Sequence, residues 1–128
     1  MNKVILFLTV LFWSFLNAQT TKEITFKEAP AVLKINNDQI FGTLTTPDLT
    51  KKVPVALIIA GSGPTDRDGN NPMMKNNSLK MLAEALAKHG IASLRYDKRA
   101  IGESKAAGGA ESSLVFENYI QDAKSWFN

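Results

Sequence analysis

One apolar run constrains the fold of this chain more than any other feature of its sequence. Residues 55–60 read VALIIA, with no alternation of apolar and polar side chains. Such a run is typical of a strand that is covered on both faces, as in the middle of a parallel sheet. A second run occupies 91–96, and between the two lies a helical pattern that Asn77 or Ser78 can cap and Gly90 ends. Strand, helix and strand in this order predict a crossover unit with parallel strands.

The segments on either side extend this pattern. Over 21–46 apolar residues alternate with Thr and Lys around a turn at 36–38, which predicts two or three antiparallel strands. After a loop over 97–109, Ser112 or Ser113 is expected to cap a last helix with one apolar stripe. The stripe consists of Phe116, Tyr119, Ile120, Ala123 and Phe127. The expected fold class is therefore α/β, with antiparallel strands leading into a parallel sheet with crossover helices.

The amino terminus has the layout of an export signal. A basic start that includes Lys3 precedes a nearly unbroken apolar run over 4–16, and Ala18 follows as a small residue at the cleavage position. The run is shorter than the about 20 residues that a membrane-spanning helix needs. We therefore expect a signal peptide over 1–18, a mature domain over 19–128, and an exported protein, periplasmic or extracellular, without a membrane partner. Leu16 stands where a small residue is preferred, so an uncleaved anchor stays open.

Charge and cysteine content exclude several classes of function. The chain has 15 Lys and Arg against 12 Asp and Glu, an excess too small to indicate nucleic acid or an anionic membrane as partner. It has no cysteine, which excludes disulfides, thiolate metal sites, a cysteine nucleophile and a lipid anchor on cysteine. We expect neither a metal nor another cofactor.

Ligands of open parallel sheets bind beyond the carboxyl ends of the strands, here in the loops that start at Gly61 and Asp97. The first loop begins like a dinucleotide motif, but Asp66 replaces its third glycine and would repel a pyrophosphate. A Walker motif is absent from the sequence. The acidic stretch over 66–70 imitates the first ligands of a calcium loop, but Asn replaces both its central Gly and its final Glu.

Two motifs in the right order resemble a known family. GSGPTDRDGN over 61–70 follows the first apolar strand, and LRYDKRAIGES over 94–104 contains the end of the second. Together they resemble the front half of an α/β-hydrolase, and more narrowly the exported bacterial serine esterases of the EstD type, close to the serine aminopeptidase-like hydrolases. The resemblance covers residues 42–128, most of the mature chain.

The resemblance implies a carboxylic ester hydrolase that acts on a small-molecule ester through a Ser-His-Asp/Glu triad and an acyl-enzyme. The loop after the first apolar strand would supply main-chain N–H groups of the oxyanion hole, with Ser62 as the matching donor and Gly63 beside it. The sequence departs from the family at Ala60, where His is usual. All triad members are expected beyond residue 128. The chain is therefore expected to be the amino-terminal part of an enzyme and inactive alone.

Other polar residues are expected to have structural roles. Ser104 stands in a GxS pattern, but Ala replaces the last glycine of a nucleophile elbow and no apolar strand directly precedes it, which favours a turn or cap serine. His89, the single histidine, ends a helix. Arg67, Asp97 and Arg99 lie in the two facing loops, and pairing among them is expected to brace the loops.

Two alternatives remain open from the sequence. One is a small exported binding module with a flavodoxin-like sheet, in which the glycine loop at residue 61 would hold an anionic ligand. The other is a serine peptidase of the same fold as the esterases.

Overall fold

The first two strands form a β-hairpin in the computed structural model, which describes residues 24–109 and 114–127. Strands β1 (Phe26–Ile35) and β2 (Asp38–Pro47) pair antiparallel along their whole length. The turn between them holds Asn36 at a φ of 55°, in the left-handed region that Asn tolerates well. The antiparallel strands expected from the sequence are confirmed, whereas the expected signal peptide over 1–18 lies outside the described residues.

A parallel unit follows the hairpin. Strand β3 (Val55–Ile59), helix α1 (Ser78–Lys88) and strand β4 (Ala92–Tyr96) come in this order, and β3 pairs parallel to β4 with Leu57 opposite Leu94. Strand β4 also pairs antiparallel to β2, so the sheet is mixed and its order is β1-β2-β4-β3. The crossover unit expected from the two apolar runs is confirmed.

Two short elements follow β4. A 3₁₀ segment (Gly102–Gly108) comes first, and helix α2 (Phe116–Ser125) comes second. The main-chain N–H of Val115 donates to Asn118 Oδ1 over 3.0 Å, so α2 begins later than the serine caps expected at 112 or 113, which lie outside the described residues. Neither α1 nor α2 has the length and apolar character needed to span a membrane, and the described residues contain no other candidate.

The sheet separates two layers. Because successive side chains of a strand point to opposite faces, the side chains of Arg95 and Tyr96 at the end of β4 point into different layers. On the Arg95 side, α1 packs against β4, β2 and β1. On the Tyr96 side, the 3₁₀ segment packs against β2, and Trp126 lies on Tyr96 with ring centroids 5.7 Å apart. The buried cluster of this second layer comprises Ile40, Tyr96 and Ala107, with Leu33, Leu57 and Trp126 packed against it.

Strand β3 departs from the expectation of a strand covered on both faces. Val55 is 61% exposed and Ile59 is 52% exposed, whereas all five residues of β4 are buried. Within the described residues β3 pairs with β4 only, so it forms an edge of the sheet. The apolar run therefore predicts the strand correctly but not its position in the sheet.

Helix α2 also packs differently from the expectation. Phe116 and Phe127 of its apolar stripe are 72% exposed, and the stripe borders an open apolar groove of about 470 Å³ beside β3. Asp122 of α2, which is buried, and Trp126 directly after the helix, which is partly buried, face the sheet. Among the described residues, a polar and an aromatic contact thus join this helix to the sheet, whereas Phe116, Ile120 and Phe127 of its apolar stripe stay exposed.

Candidate functional site

The loops that follow β3 and β4 line one cleft of about 910 Å³. One wall consists of the glycine loop, defined as residues 61–64, and another of residues 98–101. Leu114, Phe116 and Tyr119 contribute apolar and aromatic surface. The cleft thus lies beyond the carboxyl ends of two parallel strands, which is where a sheet of this type places ligands.

The glycine loop presents main-chain groups to this cleft. Ser62 and Gly63 are both exposed, and the main-chain amide of neither residue donates to another group of the described residues. A Cβ added at Gly61 or Gly63 would meet nothing within 4 Å, and Gly63 has a φ of 85° that other residues rarely adopt. A ligand can therefore approach the backbone closely, and two amides are available to it.

Asp97 holds the start of the second loop through its hydrogen bonds. It directly follows β4, is 2% exposed, and accepts the main-chain N–H of Arg67 at Oδ1 over 2.7 Å and that of Glu103 at Oδ2 over 3.0 Å. The guanidinium of Arg67 lies 3.7 Å from Asp97 Oδ2 and also pairs with the Glu103 carboxylate. The structure therefore brings Arg67 and Asp97 together across the two loops.

The glycine and serine of the second motif complete this arrangement. Gly102 has a φ of 53°, and a Cβ there would collide with the Asp97 carboxylate. Ser104 is fully buried, and its Oγ accepts the main-chain N–H of Phe41 over 2.9 Å. The hydroxyl of Ser104 therefore ties the 3₁₀ segment to β2 and is not exposed in the cleft.

Arg99 lies apart from the other two members of the expected brace. Its Nε and Nη2 donate to the Asp122 carboxylate over 2.7 and 2.9 Å, and its Nη1 donates to Asp38 over 2.5 Å. These bonds, the one to Asp122 above all, raise the pKa of Arg99 further above its usual value. The pairing of Arg99 with Asp97 or Arg67 that the sequence led us to expect is not found among the described residues. Arg99 pairs instead with Asp38 and with Asp122, whose carboxylate offers a bidentate partner.

Lys98 is the residue of the site that sequence reasoning missed. Its Nζ donates to the carbonyl oxygen of Gly61 and, over 3.1 Å, to that of Gly63. Burial lowers the pKa of Lys98 from its ordinary value. One signal in the sequence points to this contact: Lys98 follows the end of β4, the parallel neighbour of β3, and so stands at the same edge of the sheet as the glycine loop.

The polar residues after the glycine loop bind their own backbone. Asp66 Oδ1 accepts the amides of Asp68 and Asn70 over 2.9 and 2.8 Å. Asn70 Oδ1 accepts the amides of Asn76 and Asn77 over 3.0 and 2.9 Å. These side chains form turns that fix the loop, and the described residues contain no group of three or more acidic or histidine side chains suited to a metal ion.

Arg95 anchors this loop to the sheet. Its guanidinium is buried and donates to Asp68 over 2.8 Å, to Thr45 over 2.7 Å and to Glu28 over 2.8 Å. Burial alone would lower the pKa of Arg95, but the bonds to Asp68 and Glu28 outweigh it and raise the pKa. The main-chain carbonyl of Asp68 accepts the amides of the second and third residues of α1 over 3.1 and 3.3 Å, so the same residue caps the helix.

His89 stands outside the cleft. It ends α1 in an exposed position, and its Nδ1 lies 2.8 Å from the carbonyl oxygen of Ala85. The cleft-lining residues do not include it. Among the described residues, no histidine is therefore placed to act as a base in the cleft.

Comparison with known proteins supports the fold. No family model and no curated protein matches the sequence. Among solved structures, the chain is similar to a cold-adapted esterase from an Arctic intertidal metagenomic library, solved as a polyethylene glycol complex, with a TM-score of 0.50 and 18% identity. The match covers 68% of this chain and 34% of that esterase. The chain thus has part of an α/β-hydrolase fold, which confirms the expected fold class, and spans about a third of the length of its structural neighbour.

Proposed function

We propose that this chain is the amino-terminal part of an exported serine hydrolase that cleaves carboxylic esters of small molecules. The observation that carries the proposal is the main-chain amide of Ser62, which donates to no other described residue and is held on an open glycine loop at the cleft. In a hydrolase of this fold, an amide at this position can donate to the oxyanion, because an ester carbonyl attacked by a nucleophile needs a donor for its developing negative charge.

The role of this chain is to stabilise the oxyanion. An amide fixed before the reaction costs no reorganisation when charge develops, and loss of one such donor costs about 3 to 4 kcal/mol of transition-state stabilisation. The serine nucleophile, the histidine and the acid of the triad are proposed to come from residues beyond 128. In support, Ser104 is fully buried and His89 stands outside the cleft.

The two sequence motifs support an esterase of the EstD type within this fold. The closely related serine peptidases share the fold and remain the alternative activity. The flavodoxin-like binding module has less support, because the sheet is mixed and an antiparallel hairpin pairs with β4.

The experiment removes the main-chain N–H of residue 62 by substituting proline for serine. In the full-length protein, Ser62→Pro abolishes the N–H, and we expect the kcat for p-nitrophenyl butyrate to fall about a hundredfold or more. Ser62→Ala keeps the amide and loses the hydroxyl, so it is expected to lose far less. Circular dichroism of both variants checks that they fold.

Three results would contradict the proposal. Equal losses in both Ser62 variants would implicate the hydroxyl instead of the amide. Turnover by residues 19–128 alone would contradict the absence of a complete triad. A folded Ser104→Ala variant without turnover would make Ser104 the nucleophile and refute its structural assignment.

A further inference from the structure

Lys98 and the glycine loop are joined across the carboxyl ends of the two parallel strands. Lys98 follows β4 and its Nζ binds the carbonyl oxygens of both Gly61 and Gly63. Because the ammonium is partly buried, it has fewer water molecules to bind instead, and desolvation lowers the pKa of Lys98 accordingly. The contact therefore joins the β4 loop to the loop that carries the candidate oxyanion donor.

The Gly61 carbonyl shares its peptide unit with the Ser62 amide. A peptide unit is planar and trans, so its C=O and its N–H point in opposite directions. A cation that holds the Gly61 oxygen therefore also fixes the direction of the Ser62 N–H. The Gly63 carbonyl shares its peptide unit with Pro64, which has no N–H, so the second bond of Lys98 only restrains the loop.

The glycine loop needs such a restraint. Gly61 and Gly63 carry no side chain that could pack, and the space beside them is open. Without a fixed partner on its carbonyl, the Gly61–Ser62 peptide unit can rotate and its N–H is no longer aimed in advance. A bound cation also polarises the peptide unit and makes its N–H a stronger donor.

We propose that Lys98 is a positioning residue that orients and strengthens the Ser62 amide as the oxyanion donor. The proposal rests on the proposed ester hydrolase. Lys98 does not touch the reacting atoms in this role, because it acts through the Gly61 carbonyl.

The test uses three variants of the full-length protein. Lys98→Met keeps the length of the side chain and removes the donor, Lys98→Arg keeps a cation with several donors, and Lys105→Met removes an exposed lysine of the neighbouring 3₁₀ segment as a matched control. We expect Lys98→Met to lower the kcat for p-nitrophenyl butyrate about tenfold, with KM within about twofold, because only the transition state carries the oxyanion. Lys98→Arg is expected to recover most of the loss, and Lys105→Met to behave as wild type.

A spectroscopic measurement reports on the peptide unit itself. In two-dimensional amide NMR spectra, Lys98→Met is expected to shift the Ser62 resonance, whereas Lys105→Met leaves it in place. In the wild type, carbon-detected NMR spectra are expected to show the Gly61 carbonyl resonance shifting as Lys98 loses its proton, because the ammonium binds that oxygen. This titration needs no variant, so it stands even where a variant fails to fold.

The outcomes separate the two proposals. A wild type without hydrolase activity overturns the proposed function and the catalytic role of Lys98 with it. In an active protein, an unchanged kcat in Lys98→Met, an unmoved Ser62 resonance or the absence of the titration overturns the positioning role alone.

Discussion

Arg99 and Asp122 form a two-bond ion pair between the loop after β4 and the buried face of α2. The Asp122 carboxylate is 1% exposed and accepts both Nε and Nη2 of Arg99, over 2.7 and 2.9 Å. We expect Arg99→Met to lower the free energy of unfolding by about 3 kcal/mol, because it leaves a buried carboxylate without its cation. Urea denaturation followed by circular dichroism measures this loss.

Asp38 supplies the control for this pair. It binds the same guanidinium, but its side chain is 40% exposed and can be solvated when the bond is lost. Asp38→Asn is therefore expected to cost less than about 1 kcal/mol. Equal losses of stability in Asp38→Asn and Arg99→Met would contradict the prediction that the pair with Asp122 supplies most of the stability from Arg99.

Arg95 is expected to stabilise the layer on the α1 side of the sheet. Arg95→Met leaves Glu28 and Asp68 without their shared cation, and because both are about one third exposed we expect a loss of about 2 kcal/mol. Arg95→Lys should recover less than half, since one ammonium cannot reach the three acceptors of the guanidinium fork. Thermal unfolding compares both with Lys27→Met, which removes an exposed pair with Asp48 and should leave stability unchanged.

Gly102 is expected to tolerate no side chain. Alanine there would adopt a left-handed φ at about 1 to 2 kcal/mol and would also push the Asp97 carboxylate away from the amides that it accepts. We expect Gly102→Ala to destabilise the protein by more than about 2 kcal/mol. Chemical denaturation tests this, and wild-type stability in this variant would refute the close packing of Gly102 on Asp97.

Ala100 should behave in the opposite way. It has a φ of 66°, in a turn closed by the Ile101 N–H on the Lys98 carbonyl over 3.0 Å. Glycine relieves the strain of this conformation but adds freedom to the unfolded chain, so Ala100→Gly is expected to stabilise by up to about 1 kcal/mol. A lower melting temperature in this variant would contradict the strained geometry.

Tyr96 gives a prediction for alkaline pH. Burial, with a smaller contribution from the charge of Asp122, raises the pKa of Tyr96 to about 12. The unfolded chain releases this proton near pH 10 and the folded chain does not, so folding stability due to Tyr96 is present below pH 10 and falls as the pH rises towards 12. Tyr96→Phe should flatten this part of the stability profile relative to Tyr119→Phe, and parallel profiles would contradict the prediction.

The sequence predicted those parts of the fold that depend on local patterns. Turn residues at 36–38 and two apolar runs separated by a helical pattern were enough for the hairpin and the parallel unit. An apolar run indicates that a strand is covered but not by which neighbour, so the edge position of β3 did not follow from it. Likewise, the stripe of α2 predicted the helix, whereas the face that meets the sheet is decided by Asp122 and Trp126.

The candidate site was predictable to a similar extent. The glycine loop with Ser62 was recognisable from its motif, since turn chemistry and a preceding strand are local. The partners of Arg99 and Lys98 were not, because Asp122 is 23 residues from Arg99 and Gly61 is 37 residues from Lys98 along the chain. Such pairings depend on which loops the sheet brings together. The position of Lys98 indicates that it lies near the glycine loop but not which atoms it binds.

Different arginines join the layers on the two faces of the sheet, so one layer can detach before the other. Arg95 holds the α1 side through three acceptors, whereas on the α2 side the described contacts include the Arg99 guanidinium on Asp122 and the Trp126 indole on Tyr96. Partial detachment of α2 would leave the hairpin and the parallel strands intact, so native-state hydrogen exchange should record it as a subglobal opening that precedes loss of the sheet. Under mild denaturing conditions the cleft would then lose the aromatic side chains of α2, while the main-chain amides of the glycine loop keep their positions.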